Sequence, residues 1–473
     1  MDYLFKRSQS PDRNCPATMT DLTQISFSFP VVRSKKVTCA FDGGAITSDA
    51  GVLLLAQAER RLGIMDRLAA LIPDGRDPSR VLHSLSDILR ARVFAIAAGY
   101  EDADDLDALR HDPAFMMALG KAPGEAIGLA SQPTISRWEN TPDLRTLIRM
   151  GREMVDIYCA SHDVPPEAVI LDIDDTFDAA HGQQQLTFWN GFHGERGYAP
   201  IHVYEAGSGR PVAFVLRPAR TPSGREIRGH VRRLIRRIRT HWPDTRITLR
   251  GDGHYARPEV MAWCEVQGVN YIFGLPGNSV LRKDPVIAAT ADACAVFRAK
   301  RGLIAHREHC ETRYAARSWK VARRVIARIE ASVQGMDIRT IVTSIQETAP
   351  ERLYELDYCD RGQAENLIKL HKTQLKSDRT SCMSAAANQM RLILHTAAYW
   401  LLWTVRQSIP EKAPLKRAEF TTLQTRLVKI GARIIETATR IRVAFASACP
   451  DKALIAHLAR SLAAPANRKP QAP

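Results

Sequence analysis

The chain lacks the marks of several large protein classes. No apolar run reaches the ~18 residues that a membrane-crossing helix needs. No Walker A sequence is present, which removes ATP-driven helicase and packaging motors. Nine cysteines are scattered without a CxxC pair, so a zinc ribbon or a disulfide framework is not expected and reduced thiols are. The HREHC stretch, with His306, His309 and Cys310, has no second ligand pair at finger spacing and is discounted as a zinc site. The opening residues (MDYLFKRSQSPDRNCPATMTDLTQ) hold no apolar core of a signal peptide, so a cytoplasmic protein with no membrane partner is expected.

What is present is a long, basic, ordinarily apolar chain. Its 473 residues are 45% apolar and 25% charged, enough for more than one globular core. Lys plus Arg number 66 against 51 Asp plus Glu, and the difference is the net charge of +15. A balance of that sign makes a polyanion the expected partner.

Patterning divides the chain by texture. Residues 1–24 are polar and read as a disordered tail, with Met19 an alternative start. From Thr47 apolar residues recur at helical spacing through LSDILRARVFAIAAG and beyond. SQPTISRWE, residues 131–139, reads as a short capped helix. It reads first as a plain helix packing Ile135 and Trp138, with a helix-turn-helix reader presenting Arg137 as the alternative. From Pro165 strands take over: AVILDID at 168–174, a hairpin at 198–206 and 211–219, then 246–252 and 269–275, with helices between. Ser223 and Glu226 form a capping box before a helix whose buried stripe is Ile227, Val231, Leu234 and Ile238. Residues 280–357 alternate with period two and read as an inserted antiparallel sheet, and helical texture returns from Asp360 to the end. The tail after Ala464 reads as frayed.

Three acidic signals stand out. In VILDIDDTF, Asp172 and Asp174 project from one face at the carboxyl end of a buried strand, where two carboxylates repel unless a cation sits between them. LRGDGHY delivers Asp252 at the end of another strand, just before a glycine turn. In YCDRGQAENLIKLHK, Tyr358, Arg361, Glu365, Lys369 and Lys372 fall within one helical arc of roughly 80°. As one site, Asp174, Asp252 and Glu365 would hold two Mg²⁺ ions through oxygen ligands, with Asp172 beside them.

A basic segment lies between the first motif and the second. From Arg217 to Arg250 there are eleven arginines and two acids, and on the helix at 226–239 Arg228, Arg232 and Arg236 lie opposite the apolar stripe. Such a face suits a duplex backbone. Phe188, Trp189, Phe192 and Tyr198 are candidates for stacking on an unpaired base or for the core.

The order Asp, Asp, Glu resembles the DDE transposases of bacterial insertion sequences. The third motif matches their Tyr-Arg-Glu-Lys signature: Tyr358, two residues, Arg361, three residues, Glu365, six residues, Lys372. HGQQQLTFWNGFHGERGYAPIHVYEA and RPARTPSGREI look like the group-1 branch, and the likeness runs from about Ser26 to Pro450. The resemblance implies an α/β fold with a ribonuclease-H-like catalytic core. It implies a helical DNA-binding region at 25–160 and a core begun at 161–279. A β-rich insertion at 280–357, a catalytic helix at 358–410 and a helical C-terminal region at 411–473 would follow. By the same resemblance, Asp174, Asp252 and Glu365 are catalytic and hold Mg²⁺, for which Mn²⁺ can substitute. Read from the stripe itself, the basic residues Arg361, Lys369 and Lys372, with Tyr358 beside them, are expected to face DNA. The implied activity is cut-and-paste transposition: hydrolysis at terminal inverted repeats, then strand transfer into target DNA by a homodimer associated with the bacterial nucleoid. Two alternatives stay open: a haloacid-dehalogenase-like phosphatase using Asp172 and Asp174, and a catalytically inactive DNA-binding relative.

Overall fold

The computed structural model describes residues 26–463; the expected N-terminal and C-terminal tails lie outside the described residues. A mixed eight-stranded sheet forms its centre. The strands are β1 (Ala168–Asp175), β2 (Ile201–Glu205), β3 (Pro211–Val215), β4 (Arg246–Gly251), β5 (Asn270–Leu275), β6 (Ala305–Tyr314), β7 (Arg323–Ser332) and β8 (Gly335–Thr343). Their order across the sheet is β6-β7-β8-β5-β4-β1-β2-β3. The three strands β1, β4 and β5 run parallel, and every other neighbour pair is antiparallel.

β1 is apolar and β-branched on the face of Val169, Leu171 and Ile173, all buried, which places Asp172 and Asp174 together on the other face. Its partner β4 is aligned so that Asp172 lies opposite Arg250 and Ile173 opposite Gly251. Gly251 suits this close approach, since a Cβ would stand 3.0 Å from the Tyr255 ring and 3.2 Å from the Ile173 carbonyl oxygen.

Helices cover the sheet: α1 (Leu144–Ala160), α2 (Gly224–His241) between β3 and β4, and α3 (Pro258–Val266) between β4 and β5. The α2 stripe buries Ile227, Val231, Leu234 and Ile238 as its spacing predicts, with Ile235 added. Ser223 accepts the Glu226 N–H at 3.2 Å, one half of the capping box. The Glu226 carboxylate turns instead to Arg217 and Arg220, at 3.5 and 2.8 Å. Beyond α4 (Gly362–Lys369), the helix α5 (Ala385–Gln407) is buried on nearly every side, as expected of a helix without a polar face. It packs against both β3 and the helix Leu85–Ala97, joining the sheet to the N-terminal helices.

Several expectations need correction. The C-terminal region is not wholly helical: Ala432–Thr437 and Arg440–Phe445 form an antiparallel hairpin that also pairs with Ile46–Thr47. ARIIET and RIRVAF are β-branched and period-two, and the helical reading counted their isoleucines at the wrong period. The N-terminal region opens with a hairpin, Ser26–Val32 on Lys35–Ala40, before its helices begin. The insertion contains the 17-residue helix Pro285–Arg301, capped by Asp284 and stopped by Gly302 in a left-handed conformation. Its strands continue the main sheet through β8 against β5. The helix at 131–139 is present as Gln132–Asn140, with Ile135 and Trp138 buried and Arg137 exposed. It is pinned by Arg92, whose Nε donates to Glu139 at 2.6 Å, both side chains at most 5% exposed.

That pair supplies a test of the N-terminal packing. Glu139→Ala, which leaves the Arg92 charge buried, is expected to destabilise the fold by ~3–5 kcal/mol in urea denaturation. The double change Arg92→Met with Glu139→Leu is expected to lose far less.

Candidate active site

The site forms where β1 and β4 end side by side. Asp172 sits inside, with a side chain fully shielded from solvent; Arg250 donates Nε to Oδ1 at 2.5 Å and Nη2 to Oδ2 at 2.8 Å. Both oxygens are therefore engaged by a guanidinium. Burial pushes the Asp172 carboxyl up, against the pull of Arg250.

Two residues on, Asp174 faces the mouth of the site. Its Oδ1 accepts the Asp175 N–H at 3.0 Å, and its Oδ2 accepts from Arg361 at 2.8 Å. Burial pushes its pKa to about 6; Arg361 opposes the rise, and the negative charges of Asp252 and Asp175 add to it. Asp252, at the end of β4, accepts the His254 N–H at 2.9 Å in a tight Asx turn. Asp174 and Asp252 are thus brought together, both drawn toward the Arg361 guanidinium.

Glu365 is placed differently. It is exposed on α4 and makes no hydrogen bond or ion pair among the described residues. Its helical stripe, however, lies along the end of β1. Arg361, four residues before, bonds Asp174. Lys372, seven residues after, bonds Thr176 at 3.3 Å, the Phe177 carbonyl, and Asp178 at 3.4 Å. Asp178 is buried, which pushes its carboxyl to about 7 despite Lys372. Among the described residues no three His, Cys, Asp or Glu side chains close into a metal-holding group. The two aspartates converge and the glutamate stands beside them.

The remaining expected residues separate. Tyr358 is half-buried, its hydroxyl against Gly274, where a Cβ would come within 2.7 Å of it. Lys369 points away from the acids and pairs with Glu419 at 3.3 Å. Arg232 and Arg236 are exposed on α2 and Arg228 partly so; none has a carboxylate partner among the described residues. Phe188, Trp189 and Phe192 are exposed, Phe192 at 92%, whereas Tyr198 is core, at 1%, donating to the Gln185 carbonyl at 2.6 Å. His306 and His309 take separate glutamates, Glu308 and Glu355, at 2.8 and 3.0 Å, and do not converge on a metal.

Sequence reasoning missed three residues here. Asp175 accepts from Arg217 at 3.5 Å, and Arg217 in turn reaches Glu226 on α2. His254 stands between Asp175 and Asp252, its Nδ1 at 3.7 and 3.8 Å from them. The bond toward Asp175 raises its pKa, partly offset by burial. The signal for His254 was its place two residues after Asp252 in GDGHY; Arg217 had none beyond its number among eleven arginines.

Chemically, Asp174, Asp175 and Asp252 present oxygen donors whose mutual repulsion is balanced by Arg361, Arg217 and His254. Carboxylate oxygens are the donors that a hard divalent cation takes. The geometry removes the phosphatase alternative, because Asp172 is sealed and doubly bonded to Arg250 and cannot act as a nucleophile. It also takes Asp172 out of the expected metal-binding set.

A family model described as transposase DDE domain group 1 matches residues 29–466. The chain belongs to that family of transposases. Membership makes it a DNA-acting enzyme of a class that uses divalent metal ions. Among curated proteins nothing matches. Among solved structures, a cryo-EM structure of the piggyBac transposase synaptic complex with hairpin DNA is similar at 12% identity. That match covers 80% of this chain and 79% of that one, with a TM-score of 0.37. Among the described residues no helix is long and apolar enough to cross a membrane.

The acids divide by stability. Asp172→Ala, which strands a buried Arg250, is expected to cost ~3–5 kcal/mol by chemical denaturation. Asp252→Ala and Glu365→Ala, at partly or fully exposed positions, are each expected to cost less than ~1 kcal/mol.

Proposed function

We propose that this chain is a cut-and-paste transposase of an insertion sequence, using Asp174, Asp252 and Glu365 as its three acids. The observation that carries the reading is the convergence of Asp174 and Asp252 at the ends of parallel β1 and β4, beneath the helix of Arg361 and Glu365. The order β3-β2-β1-β4-β5, antiparallel then parallel, is the arrangement a ribonuclease-H-like core requires, and it supports that finer reading. The residue spans set out from the sequence remain the proposed domains, corrected for the hairpins and the added helix.

Two Mg²⁺ ions, or Mn²⁺ in their place, would supply Lewis acidity to the attacking and leaving oxygens of an in-line displacement. Asp174 and Asp252 would hold them, with Glu365 completing the set from a helix that already lies along the strand end. The site's own residues do the rest. Arg250 fixes Asp172 and so the strand end; Arg361 and Lys372 offer cations to backbone phosphates. Tyr358, wedged at Gly274, sets the helix against β5. Water attack at the end of the element breaks the bond between phosphorus and the 3′ oxygen and frees a 3′-OH. That hydroxyl then attacks phosphorus in the opposite strand and later in target DNA. Arg137 and the α2 arginines Arg228, Arg232 and Arg236 contact the duplex. Two ends cut together call for a homodimer on DNA, working in a bacterial cytoplasm.

The test is nicking of a duplex carrying the element's inverted repeats, with and without Mg²⁺. Wild type is expected to cut at the repeat end only with metal, and Glu365→Gln to cut about 10²–10³-fold more slowly. Equal rates would remove Glu365 from the mechanism. Duplex binding without cutting by wild type would leave the inactive DNA-binding alternative.

A further inference from the structure

Outside the acidic site, a cluster of arginines without carboxylate partners among the described residues lies across α1 and α2. Arg145, Arg149 and Arg152 are exposed on α1, and Arg225, Arg232 and Arg233 on α2. None of the six forms an ion pair with a carboxylate among the described residues, although most arginines elsewhere in the fold that are buried do. The two helices are held side by side by Asp156, which takes both Arg237 and His241 of α2. At 100° per residue, Arg145, Arg149 and Arg152 share the stripe of Asp156 and so flank α2. Arg149 donates to the Leu71 carbonyl at 2.9 Å and to Thr146 at 3.2 Å, and with Arg145, Arg152 and Asp143 it lines an open cleft. Where the helices meet, burial and the charges of Arg232 and Arg152 together disfavour the protonated form of Arg233.

We propose that α1 and α2 form one phosphate-binding surface that takes the duplex running away from the scissile position. The proposal rests on the transposase reading and deepens it. α2 begins beside the acids, since Glu226 in its first turn reaches Arg217, which holds Asp175. Its 18 residues then lead ~27 Å away, a distance spanned by about 8 base pairs of duplex. Gly229 lies among the α2 arginines, where a Cβ would meet the Arg233 guanidinium at 3.7 Å. No aromatic side chain is exposed on either helix, which disfavours a single strand, because single-strand grooves alternate cations with stacking rings. Guanidinium groups on two helices, without base-reading partners, hold a duplex by its phosphates.

The experiment measures binding of the full chain to two duplexes by fluorescence anisotropy, without metal, across a salt series. One duplex extends 4 base pairs to either side of the cut position and the other 12. Wild type is expected to bind the longer duplex more tightly, with a steeper salt dependence. Replacing Arg145, Arg152 and Arg233 together by Gln is expected to weaken binding of the long duplex roughly tenfold or more. It is also expected to lower the salt slope by about two to three, leaving the short duplex nearly unaffected. Removing the same charge at Lys300, Arg301 and Arg317 is expected to keep the length dependence. The proposal is overturned if wild type gains nothing from length, if the α1–α2 variant binds the long duplex like wild type, or if the control variant loses as much. Unchanged urea midpoints establish that the variants are folded. Loss of metal-dependent cutting with this length dependence intact would instead overturn the transposase reading and leave the surface standing.

Discussion

The pair Asp172–Arg250 aligns everything at the site. These residues are Cα partners across β1 and β4, and their side chains lie on the same face of the sheet. Because side chains alternate along a strand, the residues two positions on must emerge from that face as well. They are Asp174 and Asp252. A slip of one residue between the strands would turn one acid to the opposite face and leave the Arg250 charge buried without its partner. A register carrying that penalty is strongly enforced, and the two reactive-facing carboxylates inherit their placement from it. Gly251 lets the backbones approach where the pair is made.

The same economy of charge governs the helix opposite. Arg361 and Lys372 dock on the end of β1 through Asp174 and through Thr176, Phe177 and Asp178. These two anchors fix the azimuth of the stripe between them, on which Glu365 lies. Wide π turns at Leu353–Tyr358 and Leu370–Gln374 bracket α4. Wide turns of this kind occur often at functional sites, and here they allow the stripe to meet the strand end at both anchors. Glu365 therefore lies on the stripe between these anchors, without a hydrogen-bond or ion-pair partner among the described residues.

How far the site was legible follows from the range of each signal. The face and end of β1 could be read from VILDIDD, since strand alternation is local. The α2 stripe and its Ser223 cap were equally local, and they are present. The stripe from Tyr358 to Lys372 was legible as a helix face, although Lys369 leaves it for Glu419. Asp172 was misjudged because its partner lies 78 residues away, in a strand whose register no local pattern gives. Its resemblance to Asp174 in sequence concealed an opposite environment. The hairpin at 432–445 was missed because ARIIETATRIRVAF satisfies a helical count and a strand count at once, and pairing with Ile46–Thr47 decides between them. The helix Pro285–Arg301 had a readable Asp-Pro start and Gly stop, outweighed by the alternating segments after it.

The net charge of +15 takes on meaning only when paired and unpaired cations are separated. Arg92, Arg217, Arg250 and Arg323 are buried and matched to carboxylates, so they serve packing and register. Several unmatched arginines lie together on α1 and α2, where burial and then the charges of Arg232 and Arg152 disfavour the protonated form of Arg233. A fold retains such a cluster at a cost to itself. The cost is relieved when phosphates replace the small ions around it, and released counterions make that exchange favourable at modest salt. On the proposed reading, binding energy from this surface would be available far from the reacting phosphorus. That is the position from which it can hold a duplex end against the acids without stabilising the uncut bond itself.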